Sequence, residues 1–397
     1  MINVPVEILK KIIETLIHEY ASTRPRESDS TTFLPRWYLT PLLWVCKIWY
    51  IIAEEYLYRF VSVGSKFPHR HEGRLGKKIA IDLLTTLKSN CRLAALVKAL
   101  RLGTEGSNSI ESAEWTQTNI RILRLCPNLE LVEIRGFRSS NLGTLIDVLK
   151  TKSLISFHIN PRNLSMYGVP GGNSAQIFDM MRAWPKLRKF QAKDFLGNVR
   201  EGKSVVFDPA EALKYCAELQ EIVFTGATLY NKDFRALRAM CSGVTKLSVP
   251  LNGGQIDSRD AALDGLCECL CAWSATLKYV KLRIRAYRSL YRPLSEALSA
   301  LRGLRELQFV CTTLDFGSIA DLPLLERLLC GSPCNPQQLN NIARYLENQE
   351  KFPSLGLLVY VRLGSREMVF SPQLEHLCLI RNIQFLGFRE ALSSFVM

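Results

Sequence analysis

Residues 126–134 read Cys-Pro-Asn-Leu-Glu-Leu-Val-Glu-Ile, and the fold of most of the chain follows from how this stretch is read. Pro127 stops any preceding helix, and apolar side chains then fall at Leu129, Val132 and Ile134. Val132 and Ile134 alternate with polar neighbours at period two, the spacing of a short strand with one buried face. The same grammar returns as Trp184-Pro185-Lys186-Leu187 ahead of Phe190, as Leu322-Pro323-Leu324-Leu325 ahead of Leu328, and as Phe352-Pro353-Ser354-Leu355 ahead of Leu358. Further copies begin at Val97, Leu154, Leu219, Val244, Leu277 and Leu304, and an eleventh begins at Leu374 behind Pro372. Successive starts lie 19 to 33 residues apart. An apolar anchor stands three residues ahead of most of them: Cys126, Trp184, Cys216, Cys241, Leu301, Leu322 and Phe352.

Between these strands, segments such as 174–184 (SAQIFDMMRAW) and 210–219 (AEALKYCAEL) carry helix-forming residues with apolar positions three or four apart. Strand, turn, helix, turn at this period resembles the leucine-rich repeat. The resemblance implies an α/β solenoid with parallel strands inside and helices outside, stacked because no single unit has enough core to stand alone. The short intervals near the C-terminus predict short or 3₁₀ connections there, and FLGFREALSSFVM (385–397) is expected to cap the last strand. Residues 61–95 leave room for one irregular repeat.

Residues 1–60 follow another pattern. Pro5 opens a helix in which Ile8, Leu9, Ile12, Ile13 and Leu16 share a face, with Glu7 near its positive end. A second helix is expected from Thr40-Pro41, presenting Leu42, Val45, Cys46, Trp49, Ile52 and Ala53. The intervening ASTRPRESDSTTFLPRW (21–37) is polar and turn-rich, and reads as a long exposed loop. Val4-Pro5, Glu7-Ile8-Leu9, Ile12-Ile13 and Leu16, followed by Leu42, Val45, Cys46-Lys47 and Trp49, resemble the F-box. The whole chain is then similar to F-box/leucine-rich-repeat proteins of the kind common in fungi: a small all-α module at 1–60, followed by a solenoid with its C-terminal cap at 61–397.

That resemblance implies a substrate-recognition subunit of an SCF-type cullin-RING ubiquitin ligase. Pro5, Ile8, Leu9, Ile12, Leu42, Val45, Cys46 and Trp49 would bind the adaptor that joins it to the cullin scaffold, and the repeats would hold a target protein. So short a helical unit cannot bury this many large apolar side chains by itself, which points to an interface. The alternative is that the same face packs on the first repeats as an end cap.

The chain has 397 residues, 47% hydrophobic and 22% charged, which excludes disordered, collagenous and coiled-coil classes. Its formal net charge of +14 lies beyond residue 63, because residues 1–63 hold seven basic and seven acidic groups. An acidic protein, a nucleic acid or a membrane surface can exploit such an excess. Strand residues next to the apolar positions point out of the sheet, so Arg101, Arg135, His158, Lys193, Lys281 and Arg283 are candidate contacts for an acidic or phosphorylated target. At the C-terminal end the matching positions turn apolar: Leu329, Val359, Val361, Cys378 and Ile380. A non-ligase interaction scaffold is the second reading and a basic nucleic-acid-binding solenoid the third. Few stacking aromatics accompany the basic positions, although Tyr279, Tyr287 and Tyr291 flank Lys281 and Arg283.

Twelve cysteines without framework spacing read as reduced thiols. With neither a signal peptide nor an 18-residue apolar run, the expected location is cytoplasmic or nuclear, away from membranes. Gly197 to Ser204 match the P-loop pattern G-x-x-x-x-G-K-[ST], but the β-branched residues and Pro209 that follow leave no helix to start at the Lys-Ser pair. Cys267, Cys269 and Cys271 lack zinc-knuckle spacing, and the five histidines have no partners in a recognisable motif. No catalytic residue, metal ligand or cofactor is therefore assigned, and the chain reads as a non-enzyme.

Overall fold

A proline after the anchor and a leucine two residues later make a tight turn, because proline presets the backbone angle of its second position. In a computed structural model of the chain, the leucine N–H closes this turn onto the anchor carbonyl, as Leu187 does on Trp184 (3.0 Å) and Leu355 on Phe352 (3.3 Å). Leu219 on Cys216 (2.9 Å) and Leu304 on Leu301 (3.0 Å) repeat the bond without the proline. The structure describes residues 5–22, 33, 37–63, 72–103, 113–135, 137, 141–160, 174–193, 215–225, 229–251, 256–284, 292–310, 316–332, 336–362 and 372–386. These form two compact units, Met1–Asn163 and Leu164–Met397.

The first unit begins with α1 (Val6–Ser22), a 3₁₀ helix (Trp37–Trp44) and α2 (Lys47–Arg59). It continues through β1 (Phe60–Val63), α3 (Glu72–Ser89), α4 (Cys91–Leu96), β2 (Ala99–Leu102), α5 (Ala113–Leu125), β3 (Leu131–Arg135), α6 (Leu142–Lys150) and β4 (Ser156–Asn160). Its four strands lie side by side in chain order, all parallel. Leu100, Val132 and Phe157 share one rung and Leu102, Ile134 and Ile159 the next, and all six are buried. The opposite face carries Arg101, Glu133 and His158 in register. After β2 the chain turns at Gly103, where φ is +95° and a Cβ would sit 1.6 Å from the Arg135 carbonyl oxygen. Only glycine fits there.

The second unit runs α7 (Ser174–Arg182), β5 (Lys189–Lys193), β6 (Glu221–Thr225), α8 (Asn231–Met240), β7 (Lys246–Leu251), α9 (Ile256–Ala272) and β8 (Tyr279–Ile284). Then follow α10 (Arg292–Ser299), β9 (Glu306–Val310), α11 (Phe316–Ala320), β10 (Arg327–Ser332), α12 (Pro336–Glu347), β11 (Leu357–Arg362), α13 (Pro372–Ile380) and β12 (Gln384–Leu386). Eight parallel strands again follow chain order. Phe190, Ile222, Leu247, Val280, Leu307, Leu328 and Leu358 form one buried row across seven of them. A single carbonyl ahead of each of β5–β10 accepts two N–H groups from the next repeat, as Lys278 does from Arg305 (2.9 Å) and Glu306 (3.0 Å). This is an open, all-parallel α/β repeat architecture, and ten of the eleven predicted repeat starts lie two residues before a strand.

Three expectations are corrected. Leu374 opens no strand: Leu374 and Cys378 are buried four residues apart on α13, Ile380 is exposed on that helix, and the strand comes later as β12. The spacing L-x-x-L is shared by helices, and no β-branched run argued for a strand. Second, Thr40-Pro41 does not start the second helix. Pro41 lies inside the 3₁₀ helix, and α2 starts at Lys47 behind Cys46, whose carbonyl accepts the Tyr50 N–H at 2.8 Å. Third, residues 21–37 are not wholly exposed, since Phe33 is buried.

Two contacts join α2 to the elements that follow it. Helix α2 passes straight into β1, and the Lys98 N–H bonds the Arg59 carbonyl at 3.1 Å. The buried Glu54 of α2 pairs with Arg92 of α4 at 2.5 Å. Residues 61–95 hold the irregular repeat for which the sequence left room, as most of β1 with α3 and α4. The five-residue α11 provides one of the predicted short connections. Residues 197–204, 387–397, His69 and His71 lie outside the described residues.

Candidate protein-interaction surfaces

Helix α1 turns Leu9 and Ile13 inward, four residues apart, against Leu39, Ile52 and Tyr56, and Ile17, Tyr38, Leu42, Trp49 and Leu57 pack around this core. Tyr56 donates to Glu14 at 2.7 Å, and Lys10 pairs with Glu55 at 3.5 Å, so polar contacts also join α1 to α2. The neighbouring stripe of α1 stays in solvent, with Ile8 46%, Ile12 41% and Leu16 39% exposed. At the 3₁₀–α2 junction Trp44 is 85% and Val45 59% exposed, and Ile48 and Ile51 follow on α2. Of the residues assigned to adaptor binding, Pro5, Ile8, Ile12, Val45 and Cys46 are therefore at the surface. Leu9 is in the core, with Leu42 and Trp49 packed against it.

On the polar face of the first unit, Arg101, Arg135 and His158 come together around one carboxylate. Arg101 Nε donates to Glu133 Oε2 at 2.8 Å, Arg135 to Glu133 Oε1, and His158 Nδ1 lies 3.5 Å from Oε1. Glu133, Arg101 and Arg135 are all buried. Removing charges from water is costly unless they are paired, which accounts for the convergence of cations on Glu133. The Arg101 guanidinium carbon stands 4.4 Å from the centroid of the Phe33 ring, a cation–π contact of about 2 kcal/mol when desolvated. The sequence reading missed Phe33. The signal available was an aromatic followed by Leu34 in a largely polar segment.

In the second unit, Lys281 aligns with Ser248 and Gln308, and the exposed Arg283 aligns with Pro250 and Val310. The Lys193 backbone lies opposite Thr225. The first row of this face alternates in sign: Glu221 meets Lys189 at 2.8 Å and Lys246 at 3.9 Å, and Glu306 meets Arg327 at 3.8 Å. Tyr279 sits between them under Lys246, whose Nζ is 5.1 Å from the ring. Burial first, then the nearby Glu306, pushes the Tyr279 hydroxyl well above its usual range. Leu329 and Val359 are buried, so these two do not supply an apolar anchor at the surface. Val361 is described only as part of β11.

Among the described residues no cluster of three or more His, Cys, Asp or Glu side chains is arranged to hold a metal. No described helix is long and apolar enough to cross a membrane. Cys267 and Cys269 are buried on α9 and Cys271 is exposed.

No family model and no curated protein matches the chain. Among solved structures it is similar to a complex of TLR13 with ssRNA13, at 14% identity and a TM-score of 0.34, over 76% of this chain and 34% of that one. It is also similar to a Bacteroides fragilis protein, at 10% identity and a TM-score of 0.35, over 74% of this chain and 73% of that one. The chain thus spans about a third of the first structure's length.

Proposed function

We propose that the chain is a non-enzymatic protein-interaction scaffold whose N-terminal helices dock a partner protein. The observation that carries this reading is the pair of apolar strips left in water, Ile8, Ile12 and Leu16 on α1 and Trp44, Val45, Ile48 and Ile51 from the 3₁₀ helix into α2. Leu9, Ile13, Leu39, Ile52 and Tyr56 already give these helices a core, so the exposed set is surplus to folding. Apolar surface that folding does not use marks an interaction site. The parallel repeats beyond it offer a second, polar surface for a target.

The finer reading is a ubiquitin-ligase substrate receptor, with the cullin-RING adaptor as the docked partner. The F-box-like residues Pro5, Ile8, Ile12, Val45 and Cys46 support it by standing at the surface. The test is co-purification of the full chain with the adaptor, beside an Ile8→Asp/Ile12→Asp variant. Both substituted side chains are exposed, so the variant should keep the wild-type circular dichroism spectrum while losing the adaptor. A folded wild-type chain that fails to retain the adaptor would remove the ligase reading and leave the scaffold reading with another partner.

A further inference from the structure

Two cations that stand just before a strand pair with the residue at the same place in the next repeat. Lys98, ahead of β2, meets Glu130 ahead of β3 at 2.7 Å, and Arg305, ahead of β9, meets Glu326 ahead of β10 at 3.4 Å. In both pairs the carbonyl of the cationic residue also accepts the N–H of the acidic one, at 2.8 Å. Arg59 stands ahead of β1 in the same relation, its carbonyl accepting the Lys98 N–H at 3.1 Å, but the residue it meets is a second cation. The partner within its own helix is taken as well. Glu55, one turn earlier and well placed for an ion pair with residue 59, is paired with Lys10 of α1 at 3.5 Å. Arg59 is half-buried, its Nε is shut off from water without a hydrogen-bond partner, and no described residue supplies its guanidinium with a carboxylate. Lys278 also precedes a cation, Arg305, but it is exposed and water solvates it. A charge taken partly out of water and left unpaired is costly until something completes it. The Arg59 guanidinium carbon lies 5.6 Å from the centroid of the Phe60 ring, a contact that uses none of its donors.

We propose that Arg59 is a docking point for a single carboxylate, an aspartate or glutamate side chain of a protein partner. That group supplies at the first strand the acid that Lys98 finds in Glu130 and Arg305 in Glu326. Guanidinium and carboxylate match through two parallel N–H···O bonds, so the fork of Arg59 selects the partner group by shape as well as charge. Lys98 is already engaged, and the site therefore offers one cation, which suits one carboxylate and not a run of phosphates. Arg59 ends α2 and is tied through its carbonyl to the residue before β2, so the partner's acid is held where the N-terminal helices meet the repeats. The inference is independent of the apolar strips on α1 and α2, since a chain that loses docking through Ile8 and Ile12 keeps Arg59.

The probe is the acetylated and amidated peptide Ala-Ala-Glu-Ala-Ala, titrated into the full chain isotopically labelled at arginine. The Arg59 Nε–H resonance, identified by its absence from the spectrum of Arg59→Lys, is followed by NMR. It should shift saturably with millimolar peptide, and a peptide with glutamine in place of glutamate should bind at least about tenfold more weakly. Exchanging the neighbouring pair, Lys98→Glu with Glu130→Lys, leaves the net charge unchanged and gives Arg59 an internal acid. That chain, shown to be folded by circular dichroism, should bind the glutamate peptide at least about tenfold more weakly than wild type. Should the exchange not fold, Lys98→Glu alone supplies the acid. The proposal is overturned by the absence of a saturable shift at Arg59, by equal binding of the glutamine peptide, or by undiminished binding in the folded exchanged chain. Inorganic phosphate binding as tightly as the peptide would overturn it too, by making Arg59 a site for any small anion.

Discussion

Cys126, Cys216 and Cys241 occupy the anchor position that Trp184, Leu301, Leu322 and Phe352 fill elsewhere, and all seven are buried. A thiol there serves as a small apolar group, with Cys216 Sγ also donating to the Met181 carbonyl at 3.1 Å. Burial pushes the Cys126 and Cys216 thiols up to about 12, from the ordinary 9.0, and holds Cys241 well above that ordinary value too. Above pH 9 the unfolded chain therefore releases protons that the native chain keeps. Stability that is fully present below pH 9 should be lost as pH rises toward 12. The thermal midpoint should fall between pH 8.5 and 10, before the buried tyrosines add to the slope, and Cys241→Ala should flatten the decline. A midpoint independent of pH over that range would contradict the assigned burial. The anchors were legible because an apolar residue recurs three residues before the repeat start, beside a proline in four of the seven. Trp273 was not, since it stands four residues before Leu277 instead of three, yet it is buried and its Nε1 donates to the Cys241 carbonyl at 2.6 Å. The contact of Phe33 with Arg101 was equally hidden, because it joins residues far apart in sequence and follows no period.

At the scale of elements, a parallel sheet is only as good as the ends that cover it. The C-terminal end depends on Arg381, which follows α13 and bonds carbonyls around the end of α12: Leu346 at 3.3 Å, Lys351 at 2.7 Å and Phe352 at 3.1 Å. The Leu346 carbonyl, in the last turn of α12, is one that a helix end leaves without an intrahelical partner. Arg381→Ala should cost about 1–3 kcal/mol and loosen α12 to β12 first. Hydrogen exchange by mass spectrometry checks this: protection should fall across residues 336–386 and stay unchanged in β5–β8. A uniform loss would mean that Arg381 acts on the whole second unit. A proline turn followed by period-two alternation located β3, β5, β10 and β11. The same two signals at Pro372, Leu374, Leu377 and Leu379 misplaced a strand, because L-x-x-L-x-L also fits a helix. The start of α2 was misread because proline suits both the first turn of an α-helix and a 3₁₀ segment, and only packing against Leu39 separates the two.

At the scale of the molecule, much of the positive charge on the described residues is neutralised in place, within a chain of net charge +14. Each cation of the first row of β5–β10 faces a carboxylate, Arg101 and Arg135 are turned onto Glu133, and Lys98, Arg188 and Arg305 pair with Glu130, Glu218 and Glu326 of the following repeat. Exposed pairs of this kind add little to stability, about 0–1 kcal/mol each, but they break a basic surface into short stretches. Phosphate recognition needs several cations acting along one track, and affinity then falls steeply with salt as their counterions are released. The described surface offers Lys281 and Arg283 on one strand, with the Lys193 backbone three strands away on the same sheet. A single-stranded oligonucleotide should therefore be retained weakly at about 50 mM salt and not at about 200 mM, with no preference among sequences. Filter binding at the two salt concentrations measures both. Affinity that survives the higher salt, or that distinguishes one sequence from another, would reveal a basic track among these repeats and favour the nucleic-acid reading over protein docking.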